Sequence, residues 1–305
     1  MAAAIHTSVP DGLIPLLESH LPNSLPILRR LQFTRFPGGQ RPTARIILAA
    51  DAPVSDSPRN FAAAYLDFGS GIETSLFMYS TLEDSSVSAE DREVCEAQIG
   101  AVVDAVKAVA REQPEHRGYP GRCLVGTLAT AVKESMVRRG VRIEARQEYE
   151  YEKWLFRVED VREVEVELTE GARWERANER DCEIVISRTS IPRQVKTLLT
   201  FPSLVLKLED GTPIAWSFLG RFNELTWTDA SLSSLHCEEP YRKRGYAKAL
   251  AAKLFKRSTF EYGPDGWCSA DVAPNNLASR GMCKSLGGRH GWNVSWNLLV
   301  LDDEK

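Results

Sequence analysis

No two of the six cysteines form a Cys-x-x-Cys pair; Cys95, Cys123, Cys182, Cys237, Cys268 and Cys283 are scattered along 305 residues. Such spacing argues against a disulfide framework and against a zinc site, and suits reduced intracellular thiols. The five histidines are equally dispersed, none at helical ligand spacing from another, so no metal is expected. Cations are not in excess: 38 Lys and Arg against 42 Asp and Glu leave a net charge of -4. That balance argues against nucleic acid as the main partner, because neutralising phosphates needs clustered positive charge. No apolar run approaches membrane-spanning length. The opening Met1-Ala-Ala-Ala-Ile5 has neither the basic start of a secretory signal nor the arginines of a mitochondrial presequence. A cytoplasmic protein with no membrane contact is the expectation. What is present, 43% apolar and 26% charged residues, is the composition of a globular chain long enough for one large or two ordinary domains.

Leu13, Ile14, Leu16, Leu17 and Leu21 form a helical stripe ended by Pro22. Strand-like runs follow at Arg30–Phe36, Ala44–Ala49, Phe61–Phe68 and Thr74–Ser80. Ser88 with Asp91 reads as a variant capping box that starts a helix. A buried strand over Cys123–Leu128 and a helix through Arg139 complete an α/β or α+β pattern. The boundary is placed near 143, giving domains 1–142 and 143–305. In the second, Thr189-Ser190-Ile191-Pro192 is a good helix start. Ser203–Leu208 and Pro213–Leu219 then flank the favoured turn Asp210-Gly211 as a hairpin.

The chemistry is concentrated after Thr226. Trp227 to Cys237 reads as a strand, yet Leu232 and Leu235 are three apart and cannot share a face in a regular pleat. A bulge near Ser233-Ser234 would reconcile them and splay the strand end, leaving amides and carbonyls for an extended ligand. Cys237-Glu-Glu-Pro-Tyr-Arg-Lys-Arg-Gly-Tyr-Ala247 then leads into a helix whose apolar face is Ala247, Leu250, Ala251, Leu254 and Phe255. Strand, tight loop and helix N-terminus make an anion-binding geometry, because first-turn N–H groups have no intrahelical acceptor. Gly245 lets the backbone approach an oxyanion, Ala247 keeps the approach clear, and Arg242, Lys243, Arg244 and Lys248 supply charge. Taken alone, this string is also how an ordinary surface helix begins. A dinucleotide site is excluded sooner, since no Gly-x-Gly-x-x-Gly follows a strand. The downstream segment tips the balance: the strand Trp267–Val272 exits toward Asn276 and a short helix closed by Leu286-Gly287, facing the first loop across a cleft.

Together these residues resemble the GNAT superfamily of N-acetyltransferases. Arg242-Lys-Arg-Gly-Tyr-Ala247 matches its (Gln/Arg)-x-x-Gly-x-(Gly/Ala) pyrophosphate loop. Asn276, Ser279, Cys283 and Leu286-Gly287 fall on its Asn-x-x-Ala-x-x-x-Tyr-x-x-Leu-Gly pattern. Phe201-Pro-Ser-Leu-Val, Gly211-Thr-Pro-Ile-Ala-Trp-Ser, Glu239-Pro-Tyr-Arg and Trp292-Asn-Val-Ser-Trp-Asn297 are similar to the glycine N-acyltransferase (FR47-like) family, as is Leu16-Leu-Glu-Ser-His-Leu-Pro-Asn-Ser-Leu-Pro26. The resemblance implies a mixed, V-splayed central sheet flanked by helices, an α/β (α+β) GNAT fold, preceded by a degenerate, non-catalytic GNAT-like domain. It implies acetyl-CoA or another acyl-CoA as co-substrate. Leu235, His236 and Cys237 would pair with pantetheine, the loop from Arg242 through Tyr246 to Lys248 would hold the diphosphate, and Asn276 would complete the site. The acceptor would be the amine of a small molecule or amino acid, attacking the thioester directly.

The sequence departs from that family at the proton-handling positions. Counting back from Tyr241-Arg242 puts Ser231 where those enzymes carry a glutamate base. Asp229 would share that face and is the first candidate base, His236 the second. Each also has a bland reading, Asp229 as a turn residue and His236 as a packed strand residue. Cys283 replaces the usual tyrosine acid and is more often a small core residue. A catalytically silent acyl-CoA-binding regulatory module, or a protein N-acetyltransferase, are the competing expectations.

Overall fold

The computed structural model describes residues 2–35, 39–84, 87–113, 118–144, 150–189, 194–219, 231–261 and 263–302. Contacts divide the chain into two compact units, Met1–Tyr151 with Trp292–Lys305, and Glu152–Gly291. The first opens with β1 (Ala4–His6), α1 (Leu13–Ser19), α2 (Leu25–Phe33), β2 (Ala44–Ala50), β3 (Phe61–Asp67) and β4 (Leu76–Ser80). It continues through α3 (Ala89–Glu112), β5 (Arg122–Ala129), α4 (Thr130–Arg138) and β6 (Ile143–Glu144). The strand β7 (Glu150–Arg157) leads into the second unit, followed by β8 (Arg173–Glu175), α5 (Glu179–Ser187), α6 (Val195–Leu198), β9 (Ser203–Lys207) and β10 (Pro213–Leu219). Then come β11 (Ser231–Cys237), α7 (Tyr246–Ser258), β12 (Trp267–Val272) and α8 (Leu277–Ser285). The last strand, β13 (Arg289–Val300), belongs to the first unit from Trp292 onward. The sequence put the boundary near 143 with everything after it in one domain. By contacts the first unit runs to Tyr151 and takes the closing strand, because β13 pairs with β5 and β6.

In the first unit the strands lie in the order β1-β2-β3-β4-β5-β13, antiparallel except for β4 and β5, which meet in parallel at Leu76↔Val125. Ile99, Val102, Val106 and Val109 of α3 close one face over Ala62, Ala64 and Leu66. Leu13, Leu17, Ile27, Leu28 and Leu31 close the other over Ile46, Leu48 and Ala63. The run Arg30–Phe36, expected as a strand, is helical to Phe33. Arg30, Leu31, Gln32 and Phe33 alternate in polarity as a strand would, but Arg29, Arg30 and Gln32 are all buried. Ile27, Leu28 and Leu31 recur at helical spacing after Pro26 in the first turn, and that spacing decides the element.

The second unit has the order β7-β12-β11-β10-β9-β8. Leu204, Leu206 and Ile214 face α7 and α8 on one side, while Val205, Trp216 and Phe218 face Cys182, Val185 and Leu198 of α5 and α6 on the other. All neighbours are antiparallel except β11 and β12, which among the described residues pair at Ser231↔Ser269 and Leu232↔Ala270. From there β11 continues to Cys237 with no strand paired on that side among the described residues, so the sheet opens in a V. The expected bulge is present: β10 pairs Phe218 with Ser233 but Trp216 with His236, one extra residue on β11, and Ser234 has φ +52°. Asp229, and Ser190 to Pro192 of the expected helix start, lie outside the described residues. Among the described residues no helix is long and apolar enough to cross a membrane, and no cluster of His, Cys, Asp and Glu could hold a metal ion.

Candidate functional site

Two parallel strands, β11 and β12, are each followed by a helix, so the N-termini of α7 and α8 both stand at the carboxyl end of the V. Ligands of α/β sheets gather in such crevices. Glu238 N–H donates to Ile214 of β10 at 2.8 Å. Alternation along an extended strand therefore turns the peptide groups of Leu235 and Cys237 away from β10, into the gap. The Cys237 carbonyl bears this out, because it accepts from Nε of Arg242 at 3.0 Å rather than from β10.

Beyond the short turn Glu239–Tyr241 the chain passes through two left-handed residues, Lys243 at φ +63° and Gly245 at φ +85°, and enters α7. Gly245 is the N-cap and brings no side chain to the helix entry. The first helical bond runs from Ala249 N–H to the Gly245 carbonyl. Among the described residues, the amides from Lys243 to Lys248 thus have no acceptor. Residues 242–245 are exposed. An exposed run of unsatisfied N–H groups at a helix start, flanked by Arg242, Lys243, Arg244 and Lys248, has the geometry and charge of an oxyanion cradle.

The cradle is braced from one side. Residues 161–169 run as a strap without regular structure, and their Val164, Val166 and Leu168 pack against the core under α7. A Cβ on Gly245 would stand 2.9 Å from Cγ1 of Val166. Tyr246, only 2% exposed, keeps its ring in the core and its phenol on the strap, so its peptide amide alone faces the crest. Nη1 of Arg244 donates to Oγ1 of Thr169 at 3.4 Å. Across the V, Asn276 is the exposed N-cap of α8: its side-chain oxygen accepts from Ser279 N–H at 3.0 Å.

His236 lies on the opposite face from Leu235 and Cys237. Its ring stacks on Trp216, with centroids 4.6 Å apart and planes 20° from parallel. Nε2 is shut off from water, has no hydrogen-bond partner among the described residues, and stands 3.6 Å from the Glu238 carboxylate. Glu238 in turn accepts from Nε of Arg188 at 3.0 Å. Partial burial raises the Glu238 carboxyl, but the Arg188 hydrogen bond and charge, with His236, outweigh it and hold it below the usual range. Trp216, Glu238 and Arg188 were not singled out from the sequence. Nothing local marks Trp216 as a platform, since only the β10–β11 register brings it under His236.

Cys283 is placed differently from an acid in a cleft. It is fully buried among the side chains of the core under α7 and α8, and burial pushes its thiol up to about 12. Packing is its role in this fold. Ser231 is buried beside Ser269 where the V closes.

The first unit repeats the order strand, helix, strand, helix with β4, α3, β5 and α4, but its helix entry is built otherwise. Ser88 Oγ caps α3 by accepting from Asp91 N–H at 3.1 Å, and Glu90 and Asp91 make the first turn acidic. Its preceding turn, Thr81–Glu83, buries Leu82 and packs on both α3 and α4. β4 pairs with β3 in unbroken register, with no bulge. Of the two helix entries, that of α3 is capped by a side chain and acidic, whereas that of α7 has no side-chain cap and no acidic residue in its first turn.

Residues 2–154, half of the chain, match the family model described as the acyl-CoA N-acyltransferase verG N-terminal domain. No curated protein sequence matches the chain. Among solved structures, an X-ray structure of a Drosophila protein is similar over 96% of each chain at 17% identity and a TM-score of 0.62. A GCN5-related N-acetyltransferase from Sphaerobacter thermophilus is similar over 99% of this chain and 97% of its own, at 13% identity and a TM-score of 0.58. A tandem GNAT protein from the clavulanic acid biosynthesis pathway is similar over 99% of this chain and 100% of its own, at 7% identity and a TM-score of 0.53. At such identities the likeness is one of fold, and the fold is the mixed α/β architecture of the GNAT acetyltransferases. With its first half matched and its architecture shared, the chain belongs to the acyl-CoA N-acyltransferase family that the verG N-terminal domain represents.

Proposed function

We propose that this protein transfers an acetyl or other acyl group from acyl-CoA to the amine of a small molecule or amino acid, by direct attack in a ternary complex. The observation that carries the reading is the run of acceptor-free amides from Lys243 to Lys248 at the start of α7, whose residues are exposed as far as Gly245. A diphosphate would satisfy several of them at once, and each hydrogen bond to a charged group contributes about 1.5–3 kcal/mol. The amide-rich pantetheine arm suits the open edge of β11, where Leu235 and Cys237 turn their peptide groups into the gap, and Asn276 faces it from α8. A backbone N–H at the bulge would polarise the thioester carbonyl. The acceptor ammonium must lose a proton before it can attack, and Asp229, then His236, are the candidate bases of this reading. The leaving group is a thiol with a pKa of about 8.5, so loss of the family's tyrosine to Cys283 removes an aid rather than a necessity.

Under this reading the second unit is catalytic and the first, whose helix entry is capped and acidic, is not. The likeness to glycine N-acyltransferases supports a small acceptor, and six unpaired cysteines support a cytoplasmic location. Incubation with acetyl-, butyryl- and benzoyl-CoA and a panel of amines should release free thiol. Tight CoA binding with no turnover on any amine would favour the second reading, a silent acyl-CoA-binding regulatory module. That alternative is motivated by the buried Ser231 hydroxyl where a glutamate is expected. Acylation confined to peptide amines would move the acceptor to proteins.

A further inference from the structure

Lys153 of β7 points its ammonium at a carboxylate on the next strand. Nζ stands 2.9 Å from Oδ1 of Asp271 and donates to Oδ2 at 3.2 Å, the two residues lying directly opposite each other in the β7–β12 register. The lysine side chain is wholly enclosed, whereas that of Asp271 stays 13% exposed. As a source of stability such a pair is weak, because apolar residues of like volume often serve as well. What the pair secures is the place of the carboxylate, which Lys153 pins from the enclosed side.

Register puts that carboxylate just inside the V. Ala270 is the last residue of β12 paired with β11 among the described residues, so Asp271 stands one step beyond the parting. Cys268, Ala270 and Val272 pack with Tyr246, Leu250 and Phe255 of α7 in one core. Alternation therefore turns Asp271 to the opposite face, that of His236 on β11. The core under α7 blocks the gap from its own side. On the other face, the cluster under α5 and α6 covers β9 and β10 and, among the described residues, includes none from β11 or β12. Ser231 and Ser269 are buried where the strands join, and Asp271 is the first ionisable side chain beyond them on that face.

We propose that Asp271 docks the acceptor: its carboxylate binds a cationic amine on the face of the gap opposite α7, beside the point where the strands rejoin and an extended acyl-CoA must end. This inference rests on the acyl-CoA reading of the cleft, and it narrows the acceptor to amines that are positively charged at neutral pH. A carboxylate has about four acceptor positions, enough for the Lys153 ammonium and a second one. With Lys153 enclosed behind it, the pair is a dipole whose negative end lies toward the gap. A neutral nucleophile gains nothing from such a group. Asp271 binds and aligns the nitrogen, and the proton still leaves to the base of that reading.

Two variants remove the carboxylate in different ways. Asp271→Asn keeps its shape and an acceptor for Lys153, while Asp271→Leu combined with Lys153→Met replaces the whole pair by apolar side chains. With acetyl-CoA as donor, the KM for propylamine should rise on the order of 10- to 100-fold in both. Calorimetric affinity for acetyl-CoA should hold, and so should the rate with hydroxylamine, a nucleophile uncharged at neutral pH. The native protein supplies a test free of any folding defect: loaded with acetyl-CoA, it should bind propylguanidinium and not the neutral propylurea. Equal losses on propylamine and hydroxylamine, a native KM for propylamine in either variant, or no preference for propylguanidinium overturns the role of Asp271 and leaves the acyl-CoA reading intact. Failure of the native protein to bind acetyl-CoA or any other acyl-CoA overturns both.

Discussion

The phenolic oxygen of Tyr246 accepts the Thr169 amide hydrogen at 3.2 Å and donates to the Glu167 carbonyl at 3.2 Å, bolting the first residue of α7 to the strap beside it. Tyr246→Phe keeps the buried ring but strands both strap groups. We expect a loss of about 1–3 kcal/mol, seen as a fall of several degrees in Tm. CoA affinity should weaken too, because the crest loses its brace. A melting curve superimposable on the native one would show that the strap does not depend on this phenol.

Gly245→Val meets two obstacles at one position. At φ +85° a Cβ is disfavoured, and here it would press on Val166 at 2.9 Å. The crest must shift, and CoA binding should weaken at least about tenfold, or roughly 1.4 kcal/mol by calorimetry. Circular dichroism should show the fold retained. Unaltered affinity would mean that the loop is not the diphosphate site.

His236→Gln keeps a polar group over Trp216 but cannot take up a proton near neutral pH. We expect kcat to fall by roughly 10²–10⁴ while acyl-CoA affinity holds. If turnover survives, the base lies elsewhere, and Asp229→Ala is the next variant to assay.

The six thiols should separate by access. Cys237 is half-buried at the gap, and although burial raises its thiol above the ordinary range, Arg242 and Arg244 act against that shift. Cys123 and Cys283 are raised by burial in the core, Cys283 to about 12. In native protein a maleimide should therefore label Cys237 ahead of the others, faster as pH rises, and CoA should protect it. Labelling of Cys283 without prior unfolding would contradict its placement.

Lys207, 3% exposed, pairs with Asp181 at 2.8 Å and Glu175 at 3.1 Å. Burial lowers the Lys207 amine, but the hydrogen bonds and charges of Asp181 and Glu175 outweigh it and leave the pKa raised. A raised lysine contributes stability that is complete below its unfolded pKa, about 10.4, and is lost as pH rises through the folded value. Urea midpoints should thus hold from neutral pH to about 10 and fall above it, with a shallower fall in Lys207→Met. Asp181→Ala, which leaves the buried amine with Glu175 alone, should cost about 3–5 kcal/mol at neutral pH.

Much of the cradle was legible because its parts are local. Gly245, the cations at 242–244, the helix after them and the break in alternation at Ser233-Ser234 are all set by neighbours within a few residues. The strand Trp267–Val272 and the Asn276 cap were readable for the same reason. Where long-range packing decides, the reading strayed. The run Arg30–Phe36, expected as a strand, is helical to Phe33 with Arg30 buried, and of the two readings of Cys283 burial favours the core residue.

By itself the sequence determined the uncapped turn into α7, because positive φ, small side chains and free amides are properties of a short stretch of chain. Tertiary structure alone decided which side chains meet there. The β10–β11 register laid His236 on Trp216, the parting of β11 from β12 exposed the strand edge, and the strap came from residues more than 70 positions before α7. Such contacts join residues far apart in the chain, and their energies depend on packing and register that no local pattern encodes.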